Sequence, residues 1–79
     1  MLNLNKLPIL NNNHEFLIDN EDQDQYLKTD NPQDYIIVYS YIHDILDVVK
    51  ELICYNVEFT HCNDPYSDET YLLINLKQW

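Results

Sequence analysis

The 79-residue chain contains no glycine, no alanine and no arginine. Phosphate-binding loops, dinucleotide fingerprints and nucleophile elbows need backbone that glycine alone permits, so the sequence excludes these motifs. Turns must be built from asparagine, aspartate and proline instead. The apolar stretch at the N-terminus, "MLNLNKLPIL", is broken by Asn, Lys and Pro and is too short for a signal peptide or a membrane span. We therefore expect a cytoplasmic protein with no membrane partner.

The charge is strongly one-sided, because 14 acidic residues face four lysines and give a net charge of -10. For a small domain, a net charge of roughly 2–8 units is enough for solubility. Such a chain is repelled by nucleic acid and by anionic membranes and is attracted to basic surfaces. Apolar residues make up 46% and aromatic residues 13% of the chain, which predicts a folded core rather than disorder.

The clearest predicted element is a helix over 44–55, packed on one face of a sheet. Asp44 can cap it, with Asp47 in the reciprocal position three residues later, and Asn56 suits the left-handed conformation that ends a helix. The predicted apolar stripe consists of Ile45, Val48, Val49, Leu52 and Ile53. Residues 1–13 are interpreted as an extended N-terminal arm, and residues 14–79 as a single α+β domain.

Strands are predicted at 14–18, 35–41, 57–62 and 70–76, with a further short strand possible at 25–29. The last two strands form a hairpin across a long loop. For 34–41, "DYIIVYSY", a long helix capped by Asn31 and running to Tyr55 is the alternative. We favour the strand, because these residue types are poor helix formers and such a helix would be apolar nearly all round. The fold class is therefore α+β, with a small, mainly antiparallel sheet of about three to five short strands.

Two groups of residues raise the question of a metal site. The aspartates of "DNEDQDQYLKTDNPQD", residues 19–34, are spaced almost as in a calcium loop, but a loop starting at Asn20 lacks the glycine and ends on Asn31 instead of a glutamate. For zinc, the candidates are His43 with Asp47, and His61, Cys62 and Asp64 with Cys54. The chain has no C-x-x-C pair, and neighbours in a strand point to opposite faces. We expect no metal, no cofactor and two free thiols.

Catalysis is not expected either, and no catalytic residue is assigned. A Cys–His pair needs an electropositive environment and an oxyanion site, which a chain without arginine or glycine is poorly suited to provide. Paired carboxylates that cleave sugars need a cleft that 79 residues can hardly enclose.

The carboxylates themselves are the candidate site. Three of them, on the predicted helix, share one helix face, where like charges repel each other. A fold that bears this repulsion without lysines to relieve it suggests that the electrostatic field is used to bind a basic protein. The predicted partner-binding residues are Asp19, Glu21, Asp22, Asp24, Asp30, Asp34, Asp44, Asp47 and Glu51.

In its size, its acidity and its lack of cofactor motifs, the chain resembles the DNA-mimic, anti-CRISPR and anti-restriction proteins of phages and mobile elements. The resemblance covers composition and no particular residues. It implies an inhibitor that binds the basic, nucleic-acid-binding surface of a larger enzyme or effector complex and does not itself bind nucleic acid. The alternative is a host interaction module with a basic partner, such as an immunity protein, an antitoxin or an accessory subunit.

Overall fold

The computed structural model describes residues 1–16, 34–63 and 68–79. In these ranges four strands form one antiparallel sheet in the spatial order β1-β2-β4-β3. The strands are β1 (Glu15–Phe16), β2 (Tyr35–Tyr39), β3 (Thr60–Asn63) and β4 (Thr70–Asn75), and the helices are α1 (Pro8–Asn12) and α2 (Ile45–Cys54). The prediction of a small α+β fold with one main helix is confirmed.

The strand interpretation of "DYIIVYSY" is confirmed, and the alternative of a long helix is wrong. β2 pairs along its whole length with β4, from Tyr35 opposite Asn75 to Tyr39 opposite Tyr71. Because side chains alternate between the faces of a strand, one face of this pair carries four fully buried aliphatic residues, and both helices cover it. These residues are Ile36, Val38, Leu72 and Ile74.

Helix α2 begins and ends where its capping residues predict. The side chain of Asp44 accepts a hydrogen bond from the backbone N–H of Leu46 (3.1 Å). At the other end Asn56 has φ 56°, and the N–H of Val57 donates to the carbonyl of Leu52 (2.9 Å), which closes a Schellman motif. Val57 therefore belongs to this helix end, and the strand predicted to start at residue 57 begins at Thr60 instead.

The predicted apolar stripe of α2 is confirmed at four of its five positions. Val48 and Leu52 are fully buried, and Ile45 and Val49 are half-buried against the same core. The prediction for Ile53 is wrong, because this side chain is 65% exposed. The sheet and α1 cover a part of the helix surface that is narrower than the apolar stripe, so the stripe extends beyond it.

The prediction of an extended arm at 1–13 is also wrong, because this segment builds part of the core. Asn3 caps a 3-10 helix over Leu4–Lys6, and Pro8 stands in the first turn of α1, where its missing N–H costs nothing. The buried side chains are Leu2, Leu7 and Leu10. The backbone N–H of Leu2 also donates to the carbonyl of Leu76 (2.6 Å), so the predicted boundary at residue 14 divides a single core.

The connections place the start of α2 beside the start of β4. β2 and β3 both run antiparallel to β4, so β2, α2 and β3 form a split β-α-β unit with β4 inserted between its strands. The end of β2, the beginning of α2 and the beginning of β4 therefore meet at one end of the sheet. The strand considered at 25–29 lies outside the described residues.

Candidate functional site

Four of the nine carboxylates predicted to bind a partner lie in the described part of the chain, and they occupy different environments. Asp34 is half-buried at the start of β2, where its carbonyl accepts from the N–H of Leu76 (2.8 Å). Asp44 and Asp47 are exposed at the start of α2, whereas Glu51 is buried. Outside the described residues lie Asp19, Glu21, Asp22, Asp24, Asp30 and Asp64, together with the loop considered for calcium.

Glu51 does not lie on an exposed acidic face, so its place in the predicted site is corrected. The residue is 8% exposed, and its two carboxylate oxygens accept hydrogen bonds from the N–H groups of Ile9 (3.1 Å) and Leu10 (2.8 Å). These donors stand in the first turn of α1, where backbone N–H groups lack partners within the helix. The carboxylate therefore holds α1 onto α2 and is not presented to a partner.

Two further exposed carboxylates lie near Asp44 and Asp47, because Asp68 and Glu69 directly precede β4. We call these four residues, Asp44, Asp47, Asp68 and Glu69, the acidic end. Ser40, which directly follows β2, is hydrogen-bonded to the segment that carries Glu69. The hydroxyl of Ser40 donates to Oε2 of Glu69 (3.3 Å) and accepts from the N–H of Thr70 (3.1 Å).

The turn after β2 brings the cap of α2 to the same place. The N–H of His43 donates to the carbonyl of Tyr39 (2.9 Å), which folds the chain back directly before Asp44. Since four residues span at most about 14 Å, the Cα of Asp44 lies within that distance of the Cα of Ser40, at the end of the sheet where Glu69 precedes β4.

Exposed apolar side chains accompany the carboxylates of the acidic end. Tyr41 and Ile42, in the turn after β2, are both exposed, and Leu46, in the first turn of α2, is 70% exposed. An aromatic ring and two aliphatic side chains beside carboxylates have the composition of a protein interface, which combines an apolar centre with a polar rim.

The predicted site does not include Asp68 and Glu69, nor the exposed apolar residues near the acidic end. Their grouping depends on the register in which β4 pairs with β2, which joins residues about thirty apart in the chain. The signal available in the sequence is the hairpin predicted from 57–62 and 70–76, because the start of its second strand must lie near the end of whichever strand pairs with it.

The nucleophiles and metal-binding side chains of residues 1–16, 34–63 and 68–79 are dispersed. Cys54 is exposed on α2, Cys62 is half-buried on β3, and both are free thiols. His61 is exposed beside Cys62. Within these ranges no three His, Cys, Asp or Glu side chains are grouped so as to hold a metal ion.

Comparison of the chain with protein-family models, with curated proteins and with solved structures gives no match. None of the helices in the described ranges combines the length and the apolar character needed to cross a membrane.

Proposed function

We propose that the protein is a small acidic inhibitor that uses its acidic end to bind a basic, nucleic-acid-binding surface on a larger protein. The observation that carries the proposal is the grouping of four exposed carboxylates with three exposed apolar side chains at one end of the sheet. The net charge of -10 extends the same sign over the whole molecule.

Carboxylates can take the place of phosphates in a groove lined by arginine and lysine. An ionised carboxylate accepts short, charge-assisted hydrogen bonds from the same guanidinium and ammonium groups that bind a nucleic-acid backbone. Duplex DNA presents one charge per about 1.7 Å of helix axis. Four carboxylates match a short stretch of such a backbone, so the inhibitor would block a limited patch of the groove rather than fill its length.

The exposed apolar residues near the acidic end would supply contacts that slow dissociation, which charge alone does not provide. Carboxylates at an exposed rim accelerate association and set its sensitivity to salt, whereas buried apolar contacts slow dissociation. Tyr41, Ile42 and Leu46 are exposed and would provide such contacts, and Tyr41 would add the large ring area that is enriched at interfaces.

An anti-defence role is the most specific form of the proposal. Its support is the resemblance of the chain, in size and acidity, to inhibitors that phages and mobile elements direct against nucleic-acid-binding defence enzymes. An immunity protein or an antitoxin would also bind a basic partner, but a toxin need not use the bound surface for nucleic acid. Competition between the protein and nucleic acid for the same partner therefore separates the two functions.

The test starts from capture of the partner by the tagged protein in a lysate of the source, in about 50 mM salt, followed by binding measurements with the purified partner. We expect the partner to be basic, and DNA or RNA to displace it from the tagged protein. Two variants with equal charge change are then compared. Asp47→Asn with Asp68→Asn neutralises half of the acidic end, and Glu15→Lys reverses one exposed carboxylate on β1.

The first variant should weaken binding by about tenfold or more, and Glu15→Lys by about threefold or less, because charge pairs in contact contribute more than distant charges. Equal effects of the two variants would show that the acidic end has no special role. A partner that nucleic acid does not displace would rule out the inhibitor proposed here, and direct binding of DNA or RNA by the protein would overturn the electrostatic reasoning altogether.

A further inference from the structure

A groove of about 510 Å³ lies at the end of the sheet opposite to the acidic end. Tyr35 begins β2 and Asn75 ends β4, and both line the groove. β2 is five residues long, so the groove and the acidic end are about 15 Å apart along the strands. The volume of the groove is in the range of clefts that bind small ligands.

The sheet register forms the floor of the groove. Tyr35 is paired directly with Asn75, and Leu73 lies two residues earlier on β4, so the three side chains share one face of the sheet. Tyr35 and Leu73 are half-buried and pack against the cluster around Ile37 and Tyr71. This packing restricts their rotamers, so the floor is formed before any ligand binds.

Gln78 fixes the wall of the groove with three hydrogen bonds. Its Oε1 accepts from the N–H of Glu58 (2.7 Å), and its Nε2 donates to the carbonyls of Glu58 (3.0 Å) and Asn75 (2.8 Å). The side-chain amide thus joins the segment before β3 to the end of β4, much as a backbone pair would. Phe59, next to Glu58, borders the groove, and its half-buried side chain packs against the core on the helix-covered face of the sheet.

The lining has the chemistry of a site for a cation. Glu58 is the single charged side chain among the lining residues, and it is exposed at the wall. The face of the Tyr35 ring attracts a cation through its quadrupole. A guanidinium group fits this combination better than an ammonium group, because its planar shape stacks on rings while its forked N–H groups reach a carboxylate and neighbouring carbonyls.

We propose that the groove binds an arginine side chain of the basic partner, as a second contact about 15 Å from the acidic end. This inference rests on the proposed function, since it supposes a basic partner, but it assigns a different surface and a specific side chain. The guanidinium stacks on the Tyr35 ring and donates to Glu58, and the hydrogen bonds of Gln78 keep the wall in place.

The test needs no partner. An acetylated and amidated Gly-Arg-Gly peptide is titrated into the protein and followed by nuclear magnetic resonance, and the same peptide with neutral citrulline replacing arginine is the control. We expect weak binding, on the order of millimolar, with shifts at the backbone amides of Thr60 and Leu73 and at the side-chain amides of Asn75 and Gln78. The citrulline peptide should bind about tenfold more weakly, because it lacks the charge.

A matched pair of variants separates the groove from general attraction to an acidic protein. Glu58→Gln and Glu15→Gln each remove one exposed carboxylate, but Glu15 lies on β1, at the opposite edge of the sheet. Glu58→Gln should weaken binding of the arginine peptide about threefold to fivefold, and Glu15→Gln less than about 1.5-fold. Tyr35→Leu should have an effect similar to Glu58→Gln. If Tyr35→Leu does not fold, the glutamate pair decides.

Three results would overturn the inference: equal binding of the citrulline peptide, equal effects of the two glutamate variants, or shifts that centre on the acidic end. The outcome is separable from that of the proposed function. If the peptide does not bind the groove but the acidic-end variants still lose the partner, the groove is assigned wrongly. If the peptide binds but the acidic-end variants keep the partner, the proposed function is wrong.

Discussion

The two sides of α2 carry similar residues and have different roles. On the inner side, Val48, Glu51 and Leu52 are buried against the sheet and α1, whereas on the outer side Asp47 and Ile53 are exposed to solvent. A carboxylate and an aliphatic residue occur on each side. What packs against the helix, and not the residue type, decides which of them are buried in the core and which are exposed to solvent.

Glu51 shows how a buried carboxylate is accommodated in a small acidic protein. A five-residue helix such as α1 is too short to be stable alone, and its first-turn N–H groups need acceptors. Glu51 provides both acceptors and places a negative charge at the positive end of the helix dipole. Asp47, one turn earlier on α2, is exposed to solvent.

The largest effect that distinguishes the buried side of α2 from its exposed side is expected at the adjacent residues Leu52 and Ile53. Leu52→Ala should lower the free energy of unfolding by about 2–5 kcal/mol, because it leaves a cavity at a fully buried site. Ile53→Ala should change it by no more than about 0.5 kcal/mol, as at ordinary surface positions. Urea denaturation of both variants measures the difference, and similar losses would mean that the outer side of α2 is covered.

The next largest effect is expected at Glu51. Glu51→Ala leaves the N–H groups of Ile9 and Leu10 without their acceptors and should destabilise the fold by about 2–4 kcal/mol. Asp47→Ala, the exposed control, should cost no more than about 1 kcal/mol, mainly through the helix dipole. Hydrogen exchange at the Leu10 amide should accelerate in the Glu51 variant alone. Unchanged exchange there would show that Glu51 does not hold α1.

The parts of the fold that local signals encode were predictable from the sequence. Asp44 and Asn56 mark the two ends of α2, and their roles depend on backbone groups within a few residues. The β-branched and aromatic run that contains β2 likewise defines a strand by itself. In these cases the residues that determine the structure are neighbours in the chain.

The parts that depend on distant residues were not predictable. α1 is short, and its N–H groups are satisfied by a carboxylate about forty residues away. Helical spacing places Glu51 near Asp47, but no local sequence pattern shows that α1 covers Glu51 and leaves Asp47 exposed. The acidic end depends in the same way on the β2–β4 register, which brings Glu69 to Ser40. Whether a charged residue is buried or exposed could therefore be decided only from the tertiary contacts.

The smallest predicted effect has the opposite sign to that of Glu51. Asp68 is exposed and lies at the same end of the sheet as three other carboxylates, in a chain of net charge -10, so its charge opposes folding slightly. Asp68→Asn should raise the free energy of unfolding by up to about 0.5 kcal/mol in about 10 mM salt. The gain should vanish near 1 M salt, where the screening length falls to about 3 Å.

Glu58→Gln is the control for this salt dependence, because it removes an exposed carboxylate far from the acidic end and should give a smaller gain. A clear loss of stability in Asp68→Asn at low salt would mean that Asp68 holds the start of β4, as Glu51 holds α1, and the contrast between the buried and the exposed carboxylates would fail. A gain that salt removes would show that repulsion among the carboxylates of the acidic end destabilises the fold. The charge would then not serve folding, and binding to a basic partner would explain why the protein carries it.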